Sequence, residues 1–255
     1  MPIWKSLLVA FFLTFFGGIL YSAAAQAAPL IPVPNLNIGV EAANTPQEIA
    51  LSLQVLFTLT ILSLAPSILI MMTSFTRIII VLSFVRSAMA TQQMPPNNVL
   101  IGLALFLTFF TMSPYLSQIN QNALQPLLAG TIAQETAFDE AVKPLREFMF
   151  KQTRENDLAL FVNLSDSPRP ASRDDVPTTT LIPAFIISEL KTAFQIGFLI
   201  YIPFIVIDMV VASTLMSMGM MMVPPVMISL PFKVLLFIMV DGWHLVIRST
   251  MLSFQ

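Results

Sequence analysis

Apolar residues run through this chain in long blocks separated by short polar interruptions, and the blocks predict helices. From Ile49 to Thr76, 28 consecutive positions carry no charge. That exceeds the roughly 20 residues needed to span a hydrocarbon core. Pro66 interrupts the block. Arg77 and Arg86 follow, on either side of Ile78-Ile-Ile-Val-Leu82. Gln92-Gln93-Met94-Pro95-Pro96-Asn97-Asn98 then reads as a turn. A second block covers Val99–Leu116, with Ser113-Pro114 near its end. Two further blocks, Leu181–Val211 and Val226–Phe254, are broken by Pro183, Pro203 and Pro231. Hydropathy alone reads four membrane spans. No stretch alternates like a strand, and no heptad or tandem repeat appears. The predicted fold class is therefore all-α and membrane-associated.

The region Glu135–Asp175 breaks this pattern. It holds 15 of the chain's 26 charged residues, nine acidic and six basic. Phe138, Ala141, Val142, Leu145, Phe148 and Met149 recur at helical spacing. Asp139, Lys143, Glu147 and Lys151 lie on another face at i, i+4 spacing. Together they predict a water-facing amphipathic helix with weak ion pairs. Ser165–Thr180 is a Pro/Ser/Thr/Asp linker. No acidic residue occurs between Glu48 and Glu135, so Arg77 and Arg86 dominate the turn between the first two blocks. The positive-inside rule puts Arg77–Asn98 on the cytoplasmic side and the charged segment on the periplasmic side.

Composition narrows the function. The chain is 56% hydrophobic and only 10% charged, against roughly 25% charged in a soluble domain. A net charge of −2 with no basic run speaks against nucleic-acid binding. Cysteine is absent and His244 is the one histidine, so neither disulfides nor a converging metal-ligand set is expected. Phosphate-binding glycine loops and nucleophile elbows are missing as well. Neither a cofactor nor an enzymatic activity is predicted.

The N-terminus reads as a secretory leader. Lys5 is a minimal n-region, Leu7–Leu20 an apolar h-region, and Ala25-Gln26-Ala27 a small-x-small cleavage site. Cleavage is expected between Ala27 and Ala28; an uncleaved anchor is the alternative. The expected organisation is a leader (1–27), an extended exported arm (28–48) and a first hydrophobic hairpin (49–134). A charged helix with its linker (135–180) and a second hydrophobic hairpin (181–255) follow.

Ionisable residues interrupt the apolar blocks, where an isolated charge is costly and normally paired or water-exposed. Asp208 and Lys233 lie at similar distances from the loop between the last two blocks. A chain folded back at that loop would bring them together. Glu189 and Lys191 are two apart on a helix, point different ways, and must seek partners on other elements. With Arg77, Arg86 and Asp241 these are the candidate structural ion-pair residues. Pairing is preferred here to an ion or proton relay.

The loop itself is rich in methionine. Seven methionines fall between Met209 and Met227, and the densest run is Met216-Ser-Met-Gly-Met-Met-Met222. Methionine is unbranched and repacks around changing shapes. Gly219 is expected to loosen a helix, and Pro224-Pro225 to end one. Two readings follow from the residues alone: a loosely packed core turn, the commoner use of methionine, or a soft plug at a pore.

Several ordered motifs decide between them by resemblance. Pro183-Ala-Phe-Ile-Ile-Ser-Glu-Leu-Lys-Thr-Ala-Phe-Gln-Ile-Gly-Phe198 resembles the signature of the FliP (FliP/SctR-like) family of flagellar type III export-gate proteins. Ser74-Phe-Thr-Arg-Ile78, Gln93-Met-Pro-Pro-Asn97, Met220-Met-Met-Val-Pro-Pro225, Leu230-Pro-Phe-Lys233 and Val240-Asp-Gly-Trp243 resemble further blocks of that family. The resemblance covers about Ile49 to the C-terminus.

It implies tilted, proline-broken helical hairpins that assemble as a pentameric ring with a central pore, much of it above the membrane plane. It implies FliQ-like and FliR-like partners, FlhB-like and FlhA-like export components, and unfolded flagellar subunits as cargo. The implied place is the bacterial inner membrane at the base of the flagellar basal body. The implied gasket is Met220, Met221 and Met222, with Met216 and Met218 beside them. An injectisome homologue is the nearest alternative; the leader and the charged insert favour the flagellar version. A small-solute transporter and a purely structural scaffold are more distant alternatives.

Overall fold

The computed structural model describes residues 46–91, 94–165, 170–220 and 222–255. Leader residues Ala27 and Ala28 and the arm to Thr45 lie outside them. Every regular element among the described residues is helical. Residues Ala50–Gln255 form one compact unit.

Helix α1 (Pro46–Met71) is apolar all round, and Leu56, Phe57, Ile61 and Leu62 stand exposed on it. A helix of this kind needs lipid or another chain around it. Helix α2 (Phe75–Ala88) forms the centre of the unit. Its Ile78, Val81, Leu82 and Val85 fall at i, i+3, i+4 and i+7, and all are buried. That stripe packs chiefly on α7 (Thr178–Ser217) and on α3 (Asn97–Ile119). Helix α3 runs through a π-helical turn, Asn120–Leu124, into the short α4 (Gln125–Leu128).

Helix α5 (Gln134–Gln152) and α6 (Glu155–Leu164) lie in the charged segment and carry nine of the chain's 26 charged residues. Ala137, Phe148 and Met149 of α5 are buried, and Phe148 meets Tyr115 and Phe185 edge-on at 5.3 and 5.8 Å. Truncating Phe148 to Ala would cost about 3–5 kcal/mol. Two details depart from the amphipathic expectation. Phe138 is 70% exposed rather than on the buried face. The ion pair on this helix joins Lys143 to Glu140 at i, i+3, and not to Asp139 or Glu147 of its i, i+4 row. Arg146 is drawn instead to the linker. It donates to Val176 O at 2.8 Å and Thr178 Oγ1 at 2.6 Å, and so pins the chain where it enters α7.

Helix α7 is 40 residues long, about 60 Å. Its crossing with α2 is close because of Gly197: a Cβ there would stand 2.5 Å from the Phe84 ring. The last two helices are α8 (Pro225–Met239) and α9 (Gly242–Leu252). They meet at an angle of 65°. The bend falls at Asp241, whose φ of 49° places it in the left-handed region. The last apolar block is therefore not one rod. Among the described residues, two helical stretches are long and apolar enough to cross a membrane, Asn97–Leu128 and Thr178–Ser217. The bent pair makes a third if taken as one span.

Candidate functional site: a methionine loop above two buried charge clusters

Helix α7 ends in a Schellman motif. Met220 N–H donates to Leu215 O and Gly219 N–H to Met216 O, both at 3.0 Å. Gly219 occupies the left-handed position at φ 76°, which glycine adopts without a Cβ clash. Gly219 thus stops a helix rather than loosening one. The prolines also act differently from expectation. Pro224 is the N-cap residue and Pro225 the first residue of α8, where proline's fixed φ and missing N–H suit a helix start. They begin a helix and do not end one.

The loop between these two devices carries the methionines outward. Met216, Met218 and Met220 are exposed, and Met222 is 97% exposed. Met227, in the first turn of α8, is exposed too. Met221 lies outside the described residues. A run of thioethers at the tip of a hairpin has little to pack against within its own chain. In water it would be an unfavourable apolar patch, so it calls for a covering surface.

Below the loop, α7 and α8 are bridged by a charge cluster. Lys233 Nζ donates to Asp208 Oδ2 at 2.6 Å. Ser229 Oγ donates to Asp208 Oδ1 at 2.6 Å. Lys233 is almost fully buried, whereas Asp208 keeps 30% of its side chain exposed. Both carboxylate oxygens are therefore engaged, and the ammonium has a partner in an apolar setting. One turn deeper Phe204 and Phe237 meet at 6.3 Å. The pair fixes the register of the two helices beneath the loop.

A second cluster lies nearer the N-terminal end of α7, centred on Arg77. Its guanidinium uses all five N–H groups. Nε donates to Glu189 Oε2 at 2.9 Å, and Nη2 to Glu189 Oε1. The second Nη2 proton goes to Gln152 Oε1 at 2.9 Å. Nη1 donates to Ser253 O at 2.7 Å and to Ser253 Oγ at 3.0 Å. The planar group lies 4.0 Å over the Phe254 ring. Gln152 Nε2 in turn donates to Phe254 O. One arginine thus joins α2, α7, the end of α5 and the C-terminal residues. The charge pattern put Arg77 on the opposite side of the membrane from the charged segment; instead it is 2% exposed and touches Gln152 of that segment, drawn there by its pairing with buried Glu189. Glu189 is fully buried.

The remaining candidates stand apart. Arg86, half-buried at the end of α2, donates to Asn97 Oδ1. Lys191 is exposed on α7 and Asp241 at the α8–α9 bend, and no ion pair of either is found among the described residues. Beside Glu189, Ser188 Oγ donates to Asp157 Oδ2 at 2.6 Å and accepts from Arg154 N–H. Sequence reading passed over Gln152, Ser188, Ser229, Ser253 and Phe254. A serine or a glutamine carries no local mark of a partner 75 or 176 positions away along the chain. No group of three or more His, Cys, Asp or Glu is placed to hold a metal ion among the described residues.

These features define a helical membrane-type protein whose apolar hairpin is braced by a buried ion pair and tipped with methionines. The FliP family model matches residues 58–250, and the chain belongs to the FliP family. A flagellar biosynthetic protein FliP from Bacillus subtilis is 59% identical over 217 residues, covering 85% of this chain and 98% of the relative. The protein of the same name from Pectobacterium carotovorum is 55% identical over 240 residues, covering 93% and 90%. That from Treponema pallidum is 49% identical over 228 residues, covering 89% and 84%.

Proposed function

We propose that this chain is a core, pore-forming subunit of the flagellar type III protein export gate. Membership of the FliP family carries the reading, and the relatives' common name, flagellar biosynthetic protein, points it to the flagellum rather than to an injectisome. Copies of the chain form a pentameric ring completed by FliQ-like and FliR-like subunits. The ring sits in the bacterial inner membrane with FlhB-like and FlhA-like components, and its charged segment faces the periplasm. It passes unfolded flagellar subunits outward.

The exposed methionine loop acts as the seal. A closed gate must exclude water and ions, then admit polypeptides of many shapes. A ring of Met216, Met218, Met220, Met221 and Met222 from successive copies makes a dehydrated constriction that gates by excluding water. Unbranched thioethers let the same ring close around a passing chain. Carboxylates there would attract cations instead. The Asp208–Lys233 brace supports this reading, because a soft seal needs a firm stalk.

Native mass spectrometry of the protein co-expressed with its neighbouring membrane genes tests the assembly. A five-copy ring carrying smaller membrane subunits, with residues 1–27 absent, is the expected result. A monomer or dimer that retains its N-terminus would overturn both the ring and the leader cleavage.

A further inference from the structure

The charged segment is acidic overall, yet its cations gather in one place. Residues 135–175 hold nine acidic and six basic residues. Five of the six basic ones, Lys143, Arg146, Lys151, Arg154 and Arg173, line three adjoining hollows of about 400, 330 and 570 Å³ that share Phe150 and Arg173. Only three of the nine acids, Glu147, Glu155 and Asp174, lie among them. Lys143, Arg146 and Arg154 are committed within the chain, to Glu140, to the linker and to Asp157. Lys151 and Arg173 are exposed and join no ion pair among the described residues. Beside them the smallest hollow has an apolar floor of Phe150, Leu158, Val162 and Val176.

The opposite chemistry stands at the other end of α5. Phe138 is 70% exposed. Glu135 and Asp139 are exposed beside it, and the i, i+3 and i+4 spacing puts all three on one face of the helix. Neither acid joins an ion pair among the described residues. A bare phenyl flanked by two carboxylates is a knob that fits an apolar floor flanked by two cations. A chain cannot fill its own hollow with it. Phe138 and Phe150 are twelve positions apart on one helix, about 18 Å along the axis and about 120° round it. The knob must therefore enter another copy. Because knob and hollow face different ways, the contact joins unlike surfaces head to tail, the kind from which rings are built.

We propose that copies of this chain dock through the charged segment: Phe138 of one copy enters the Phe150 hollow of the next, with Glu135 and Asp139 meeting Lys151 and Arg173 there. This rests on the ring in the proposed function and names a contact for it outside the apolar helices. The phenyl supplies most of the affinity, as a buried aromatic at an interface does. The exposed charges add little attraction and instead set the register and discourage wrong pairings.

The test uses the full-length protein co-expressed with its neighbouring membrane genes and purified in a mild detergent. Benzoylphenylalanine in place of Phe138 keeps an aromatic knob and cross-links on irradiation. It is expected to join residues 150–162 or 170–176 of another copy. Adding E135K/D139K should lower the yield about fivefold, and K151E/R173E in the same chain should restore it. F138A should weaken association of the copies about tenfold with an unchanged thermal midpoint, and F138L should recover part of it. Cross-links that map elsewhere on the chain or to a different subunit would overturn the contact, as would a yield indifferent to the charge reversal. Native mass spectrometry of the same sample separates the two readings. A five-copy assembly without the expected cross-link leaves the ring standing and removes this contact; monomer alone overturns both.

Discussion

Replacing Arg77 by methionine tests whether the buried guanidinium holds the unit together. The substitution keeps much of the side-chain volume and removes the charge. It leaves Glu189, with no exposed surface, as a lone buried carboxylate. It also strips partners from Gln152 Oε1 and Ser253 O. Breaking a buried pair by removing one partner costs about 3–5 kcal/mol. For a unit of this size that lowers the thermal midpoint by about 6–20 °C. The double variant R77M/E189M removes the orphaned charge as well, so it should be clearly more stable than R77M alone. R77K should fall between, since an ammonium offers three donors in place of a five-donor fork. Thermal unfolding of the full chain in a mild detergent, followed by circular dichroism and limited proteolysis, measures all three. The reasoning fails if R77M unfolds within 2 °C of the parent, or if the double variant loses as much as the two singles together.

Four further outcomes follow from the geometry. D208N should destabilise the α7–α8 hairpin by about 3 kcal/mol, because it leaves Lys233 buried without a counter-charge; the swap D208K/K233D should recover part of the loss in the same melt, and no recovery would argue against pairing as the role. G197A should cost about 1–3 kcal/mol through overpacking against Phe84, and a melt unchanged from the parent would show that the ring moves aside freely. R146A should open the 170–177 linker, seen as faster cleavage by trypsin after Arg173 with little change in the global midpoint. Glycine in place of Met220, Met221 and Met222 should raise ion leak through reconstituted gates while leaving assembly intact; unaltered conductance would sink the seal.

The chain's own pattern determined the helical class, the apolar blocks and the charged interruption, because these depend on which residues are adjacent. It also marked the methionine run and the residues that had to find charged partners. Asp208 and Lys233 could be matched from sequence because they lie on neighbouring helices at similar distances from one loop. Arg77 and Glu189 could not be matched, being 112 positions apart. Nothing local says which buried carboxylate will reach which guanidinium. Local chemistry was also ambiguous where one residue serves two purposes. A glycine can loosen a helix or end it, and a proline pair can stop a helix or start the next. The backbone at Gly219 and Pro225 is settled by the hydrogen bonds the finished turn must satisfy. Only the tertiary structure decided that Arg77 is interior, that the final apolar block bends at Asp241, and that the C-terminal Ser253 and Phe254 complete the shell of a charge begun in α2. The reason is that an arginine taken out of water must have every donor met, and the groups that meet them come from wherever packing brings the chain.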